Sequence, residues 1–159
     1  MSVALIDFAV EAAPDSVPAG RVTFNVRNDG GTHDLCVLRT DLPAADLPED
    51  EPGTLTRIGD PVTGEIETLD LLERGPDLGP GVEVDKPDLT APEIEVLGSI
   101  EPIKEGQTDV LTLELESGHY VLICNLVDFD FDQAGNVIEV GDSHYERGMR
   151  TDFSVESQP

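Results

Sequence analysis

The sequence predicts an all-β protein, a Greek-key β-sandwich, and three observations carry that prediction. Short segments alternate apolar and polar residues with period two. Others are uniformly apolar over five to eight residues. Turn-forming clusters separate both kinds. A strand places successive side chains on opposite faces, so alternation marks one buried face and a continuous apolar run marks two.

Taken in chain order, Val3 to Val10 reads as a uniformly apolar strand covered on both faces. In Arg21 to Arg27, Val22, Phe24 and Val26 alternate with Thr23 and Asn25. His33 to Arg39 is again uniformly apolar after its first two residues. In Val110 to Glu116, Leu111, Leu113 and Leu115 alternate with Thr112 and Glu114, and Tyr120 to Cys124 forms a third buried run. Near the end, Thr151, Phe153 and Val155 alternate with Asp152 and Ser154. Pro18-Ala19-Gly20, Asn28-Asp29-Gly30-Gly31 and Glu116-Ser117-Gly118 supply the turns. Strands this short, joined by turns, fit an antiparallel sandwich.

A chain of 159 residues is long enough for one domain with a genuine core, so residues 1–159 are read as a single domain. Residues 43–92 shift to Pro, Gly, Asp and Glu and read as a long acidic insertion on one side of the sandwich. Its apolar patch at Ile66 to Leu72 suggests a short helix or strand around Thr68 to Arg74, since loops of this length rarely lack structure.

The charge is as informative as the pattern. With 34 acidic against 9 basic residues, the formal net charge is −25, which repels phosphate backbones and anionic lipid. Nucleic acid and membrane surfaces are therefore poor candidates for partners, and no nucleic acid and no membrane insertion are expected. No apolar run approaches the roughly 20 residues of a membrane-spanning helix. The first six residues lack the basic segment and small-residue cleavage site of a signal peptide, so the chain reads as cytoplasmic or as a mature domain with a start methionine. The acidic surface suits high salt, a basic docking partner, or solubility alone.

The chemistry concentrates in four residues. Thr32-His33-Asp34-Leu35-Cys36 lies early, Tyr120-Val121-Leu122-Ile123-Cys124-Asn125 late, and Ser143-His144-Tyr145-Glu146-Arg147-Gly148-Met149 later still. Each side chain alone has a plainer reading. A lone histidine is most often a surface or satisfied core residue, a buried cysteine is a small hydrophobe, and a methionine fills a core. Met149 is the only methionine besides Met1, which sharpens its selection.

The order of these residues, one early His followed by Cys, His and Met, resembles the cupredoxins, from Ala19 to Val155 with the acidic insertion excepted. It is especially similar to plastocyanin-like bacterial and archaeal members, whose four-residue gap between His and Met is matched by His144 and Met149. The resemblance implies the cupredoxin fold and one mononuclear type 1 copper. His33 and His144 would be the equatorial imidazoles, Cys124 the thiolate and Met149 the axial sulfur. A thiolate and two imidazoles with a weak thioether suit both copper oxidation states. The resemblance also implies that the N–H of Asp34 bonds the ligand sulfur, that His144 is the ligand nearest solvent, and that the protein works in the periplasm or outside the cell. Its partner would be a redox protein with a basic docking surface, and the chain would be a monomer.

The departure from that pattern is the length of Asn125 to Ser143. Val127, Phe129 and Phe131 alternate with Asp128, Asp130 and Asp132, a turn follows at Gln133-Ala134-Gly135-Asn136, and Ile138 and Val140 return. This predicts an extra β-hairpin over about 126–142, which either packs Phe129 and Phe131 over or beside the copper, changing access to His144, or is a peripheral decoration. Asp128, Asp130, Asp132 and Glu139 also match positions 1, 3, 5 and 12 of a calcium loop. Gln133 stands where that loop needs Gly, and solvated acidic hairpin faces explain the pattern better.

Two residues are read as lying outside the site. The pleat puts Leu35 and Val37 on the His33 face and Cys36 on the other, so Cys36 is a buried thiol, neither ligand nor disulfide partner of Cys124. His119 has the wrong parity relative to Cys124 and reads as a surface residue. With three histidines and two assigned, no second copper site can be assembled. Nor is there a nucleophile elbow or a phosphate-cradling Gly loop. The reading is a one-electron carrier and not an enzyme. The alternatives are a copper carrier or buffer with the same ligands, and a metal-free structural or adhesion sandwich.

Overall fold

The computed structural model describes residues 1–48, 87, 89, 91–131 and 137–158. Their strands form two packed sheets and a separate hairpin. The first sheet contains β1 (Ser2–Ile6), β2 (Ala9–Ala13), β4 (Gly20–Asn28) and β7 (Thr108–Leu115), in the order β2-β1-β4-β7. The second contains β3 (Ser16–Pro18), β5 (His33–Arg39), β6 (Glu95–Ile103), β8 (Gly118–Ile123) and β11 (Arg150–Glu156), in the order β3-β11-β8-β5-β6. Both are mixed: β1 pairs parallel with β4, and β11 parallel with β3. This is the β-sandwich that the alternation predicts, but not the antiparallel one: β1 with β4 and β3 with β11 are not consecutive in the chain, so no hairpin forces them to run oppositely.

Alternation places the core where the sequence puts it. In β4, Val22, Phe24 and Val26 are buried between the sheets while Arg21, Asn25 and Arg27 face out. Phe24 meets Phe153 edge-on at 5.8 Å, and Phe153 stacks on Tyr120 at 5.3 Å. Fully burying an apolar side chain of this size contributes about 1.5–3 kcal/mol. The Tyr120 hydroxyl keeps its polarity satisfied by donating to the Glu116 carbonyl at 2.8 Å.

One reading needs correction. Val3 to Val10 is two strands, β1 and β2, that reverse at Asp7-Phe8. Val3, Leu5 and Val10 are buried and their neighbours are less covered, so β1 has one core face. The intervening alanines and isoleucine made the run look doubly buried. Leu5 pairs with Val10 across this turn, and the reversal delivers Asp7 and Phe8 to the end of the sandwich.

The second sheet also has a covered outer face. There Cys36, Leu38, Val121 and Ile123 pack with Ala44, Leu47, Ile94 and Tyr145, while Leu35, Val37 and Cys124 lie in the core between the sheets. Residues at the two ends of the acidic insertion therefore cap this face. A 3₁₀ turn at Ala44–Asp46 is held by the Asp152 carboxylate, which accepts the Ala44 N–H. The element expected around Thr68 to Arg74 lies outside the described residues.

Between β8 and β11, β9 (Val127–Phe131) and β10 (Val137–Ser143) pair antiparallel, as the expected extra hairpin requires. The expected aromatic cover by Phe129 and Phe131 and the calcium pattern of Asp128, Asp130, Asp132 and Glu139 concern side chains outside those described.

Candidate metal centre

Strand pairing explains why residues remote in sequence meet. β5 and β8 are antiparallel neighbours, with Cys36 opposite Ile123, and β8 pairs with β11, with Arg150 opposite Ile123. The start of β5, the end of β8 and the start of β11 therefore share one end of the second sheet. His33 opens β5, Cys124 follows β8, and Met149 precedes β11. The fourth residue, His144, is brought back by the β9–β10 hairpin. Its N–H donates to the Leu126 carbonyl at 2.8 Å, while Met149 N–H donates to the His144 carbonyl at 2.9 Å and Cys124 N–H to the Met149 carbonyl at 3.1 Å. Three backbone hydrogen bonds thus fasten the ligand loop to itself.

The donor atoms of His33, Cys124 and His144 all lie within 4.8 Å of one another, and all three residues are buried. Both imidazoles turn Nδ1 inward: the two Nδ1 atoms are 3.1 Å apart, and Cys124 Sγ is 3.8 Å from that of His33 and 3.5 Å from that of His144. Zinc-like bonds of about 2.0–2.1 Å to nitrogen and about 2.3 Å to thiolate imply donor–donor edges of roughly 3.3–3.8 Å. Both sulfur–nitrogen distances fall in that range, and the nitrogen–nitrogen distance of 3.1 Å is a little shorter. Met149 is fully buried and packs in the same core cluster as Cys124 and Leu126.

The sulfur is buried beside a carboxylate. Burial pushes the Cys124 thiol well above its ordinary pKa, and the Asp34 carboxylate adds to the rise. The backbone N–H groups of Asp34 and Leu126 bond the sulfur and oppose it, so the bond expected from Asp34 is present. Asp34 also accepts the Asn125 N–H at 2.7 Å, tying the two ligand segments together. A thiol so placed favours its neutral form, and a metal ion held there would bind it as the thiolate, displacing the proton.

Sequence reasoning missed two residues here. Asp7 Oδ1 lies 2.6 Å from His33 Nε2 and 3.0 Å from the Gly31 N–H. Its pKa is lowered, first by that Gly31 N–H and then by His33, against some burial. Phe8 meets His33 edge-on at 6.2 Å and His144 at 5.3 Å, with the Arg147 guanidinium 4.7 Å from its ring centre. His144 is the least covered of the four residues at 2%, yet it is buried, because Phe8 stands against it. The signal available was one carboxylate interrupting the apolar run from Val3 to Val10.

No protein-family model matches the chain, and no curated protein matches it. Solved structures do. An auracyanin from the photosynthetic bacterium Roseiflexus castenholzii is similar at 17% identity, over 99% of this chain and 95% of that one, with a TM-score of 0.47. Auracyanin A from Chloroflexus aurantiacus, described as a "blue" copper protein, is similar at 15% identity, over 98% and 97%, with a TM-score of 0.48. An azurin from Methylomonas sp. strain J is similar at 11% identity, over 100% and 97%, with a TM-score of 0.45. The auracyanins and the azurin are cupredoxins.

The donor set itself decides which metal chemistry fits. One thiolate and two imidazoles, buried and convergent, fit a type 1 copper site. Cys36 is not part of it: it lies on the far face of the second sheet and is not disulfide-bonded to Cys124. His119 is also elsewhere, partly exposed at the start of β8, with Nδ1 2.6 Å from the Thr40 carbonyl and Nε2 2.9 Å from Asp152.

Proposed function

We propose that this protein is a cupredoxin that carries single electrons, with His33, Cys124 and His144 as equatorial copper ligands and Met149 as the axial one. The observation that carries the reading is the meeting of one sulfur and two inward-facing Nδ1 atoms, from three separate segments, in a buried cluster. Copper bound there supplies a one-electron couple. The chain's own residues supply rigidity. Two strands, the backbone bonds among Leu126, His144, Met149 and Cys124, and the N–H groups on the sulfur hold the donors in place. Ligands held this firmly move little when charge changes, which favours fast transfer over slow uptake and release.

Residues 1–159 act in this reading as one domain, working in the periplasm or outside the cell as a monomer. No described helix is long and apolar enough to cross a membrane. The net charge of −25 favours a redox partner with a basic docking face, whose approach speeds up as salt is lowered.

Adding copper(II) to the metal-free protein tests the reading. A strong thiolate-to-copper band in the visible, with one copper per chain, is expected, and colourless protein would sink it. Rapid, reversible oxidation and reduction is expected of a carrier, whereas slow redox with easy loss of metal to a chelator would identify a copper buffer instead.

A further inference from the structure

Metal-ligating histidines need their second ring nitrogen held, because the proton there decides which nitrogen is left bare to coordinate. For His33 the holder is a carboxylate from another part of the fold. Asp7, at the β1–β2 reversal, brings Oδ1 to 2.6 Å from Nε2. The imidazole is 1% exposed and the carboxylate 49% exposed, so the contact joins a buried ring to the edge of the solvent.

The surrounding chain is shaped to admit this carboxylate. Asp7 Oδ1 also accepts the Gly31 N–H, and a Cβ on Gly30 would come within 2.7 Å of the same oxygen and 2.8 Å of the Asp7 nitrogen. Gly30 therefore leaves the space through which the β1–β2 turn reaches His33 at the start of β5. Asn28, fully buried, fixes that loop by donating to the Ile103 carbonyl at 2.8 Å and accepting the Gly30 N–H at 3.1 Å.

We propose that Asp7 is a positioning residue for the metal centre. Its carboxylate accepts the Nε2–H of His33, fixes the tautomer that presents Nδ1 to Cys124 and His144, and sets a negative charge behind a ligand, favouring the more highly charged copper(II). The inference rests on the copper reading above for its redox part. The tautomer part stands on the metal-free protein.

Three variants test it. In ¹⁵N-histidine NMR of the metal-free protein, the wild type is expected to show His33 protonated at Nε2, and Asp7→Ala to show a mixture of tautomers. Asp7→Ala is expected to lose 10–100-fold in copper(II) affinity, the usual effect of removing such a partner. Asp7→Asn keeps an acceptor oxygen of the same shape and guards against failure of Asp7→Ala to fold. It should keep the tautomer but lower the copper(II)-to-copper(I) affinity ratio about tenfold, a rise in potential of about 59 mV. Asp29→Asn removes an equal charge from a neighbour that pairs with Arg27 instead, and should change neither reading.

An Asp7→Ala protein with the wild-type tautomer and unchanged copper(II) affinity would overturn the inference. So would an Asp29→Asn shift in potential as large as that of Asp7→Asn. Wild-type protein that stays colourless with copper defeats the copper reading instead, and the NMR comparison alone then decides whether Asp7 positions His33.

Discussion

The N–H of His144 donates to the carbonyl of Leu126 at 2.8 Å, which closes the base of the β9–β10 hairpin directly beneath two of the proposed ligands. Because of this bond, the long insertion between Cys124 and His144 leaves and re-enters the site at adjacent points. A ligand loop can grow by a hairpin without separating its ends.

Replacing residues 128–142 with Asn-Gly, a two-residue hairpin turn, should therefore preserve the visible copper band and metal stoichiometry. Val127 and Ser143 are already paired, so the shortened loop begins from residues in register. Loss of the band would mean that the hairpin shapes the site and does not merely extend it.

The two cysteines should behave oppositely. Cys124→Ser removes the sulfur of the cluster and should abolish the band. Cys36→Ser should leave it intact, because Cys36 packs with Leu38 and Tyr145 on the far side of the sheet. Placing a hydroxyl there should cost about 1–3 kcal/mol, read by denaturant unfolding of the metal-free protein.

Gly148 has a φ of 121°, and a Cβ on it would approach the Phe8 carbonyl oxygen to 2.9 Å. Gly148→Ala meets backbone strain and a clash together, between His144 and Met149. A loss of more than about 1 kcal/mol from the left-handed backbone alone is expected, with weaker copper binding measured by chelator competition. Wild-type affinity in a folded Gly148→Ala protein would show that this turn does not hold the ligands.

Phe8 shields both imidazoles with a ring that is itself only partly covered. Phe8→Ala should lose less than the roughly 3–5 kcal/mol of a fully buried phenylalanine. Copper should nonetheless pass to a chelator several-fold faster, because water gains access to His144. An unchanged rate of transfer would place the escape route elsewhere.

Much of this was legible in the residues. Alternation in β4 and β11 is a local property of a strand with one buried face, so Val22, Phe24, Phe153 and Val155 announce their own orientation. The pleat likewise separates Cys36 from Leu35 and Val37 without knowledge of any neighbour. The donor types of His33, Cys124, His144 and Met149 limit the chemistry wherever the chain takes them.

Proximity is a different kind of information. That Asp7 reaches His33 and that Phe8 covers His144 depend on β1 lying beside β4 and β5 beside β8. A side chain's own face is set by backbone geometry within two or three residues. Which foreign side chain stands opposite is set by strand order across the whole sandwich, and only the assembled fold decides that.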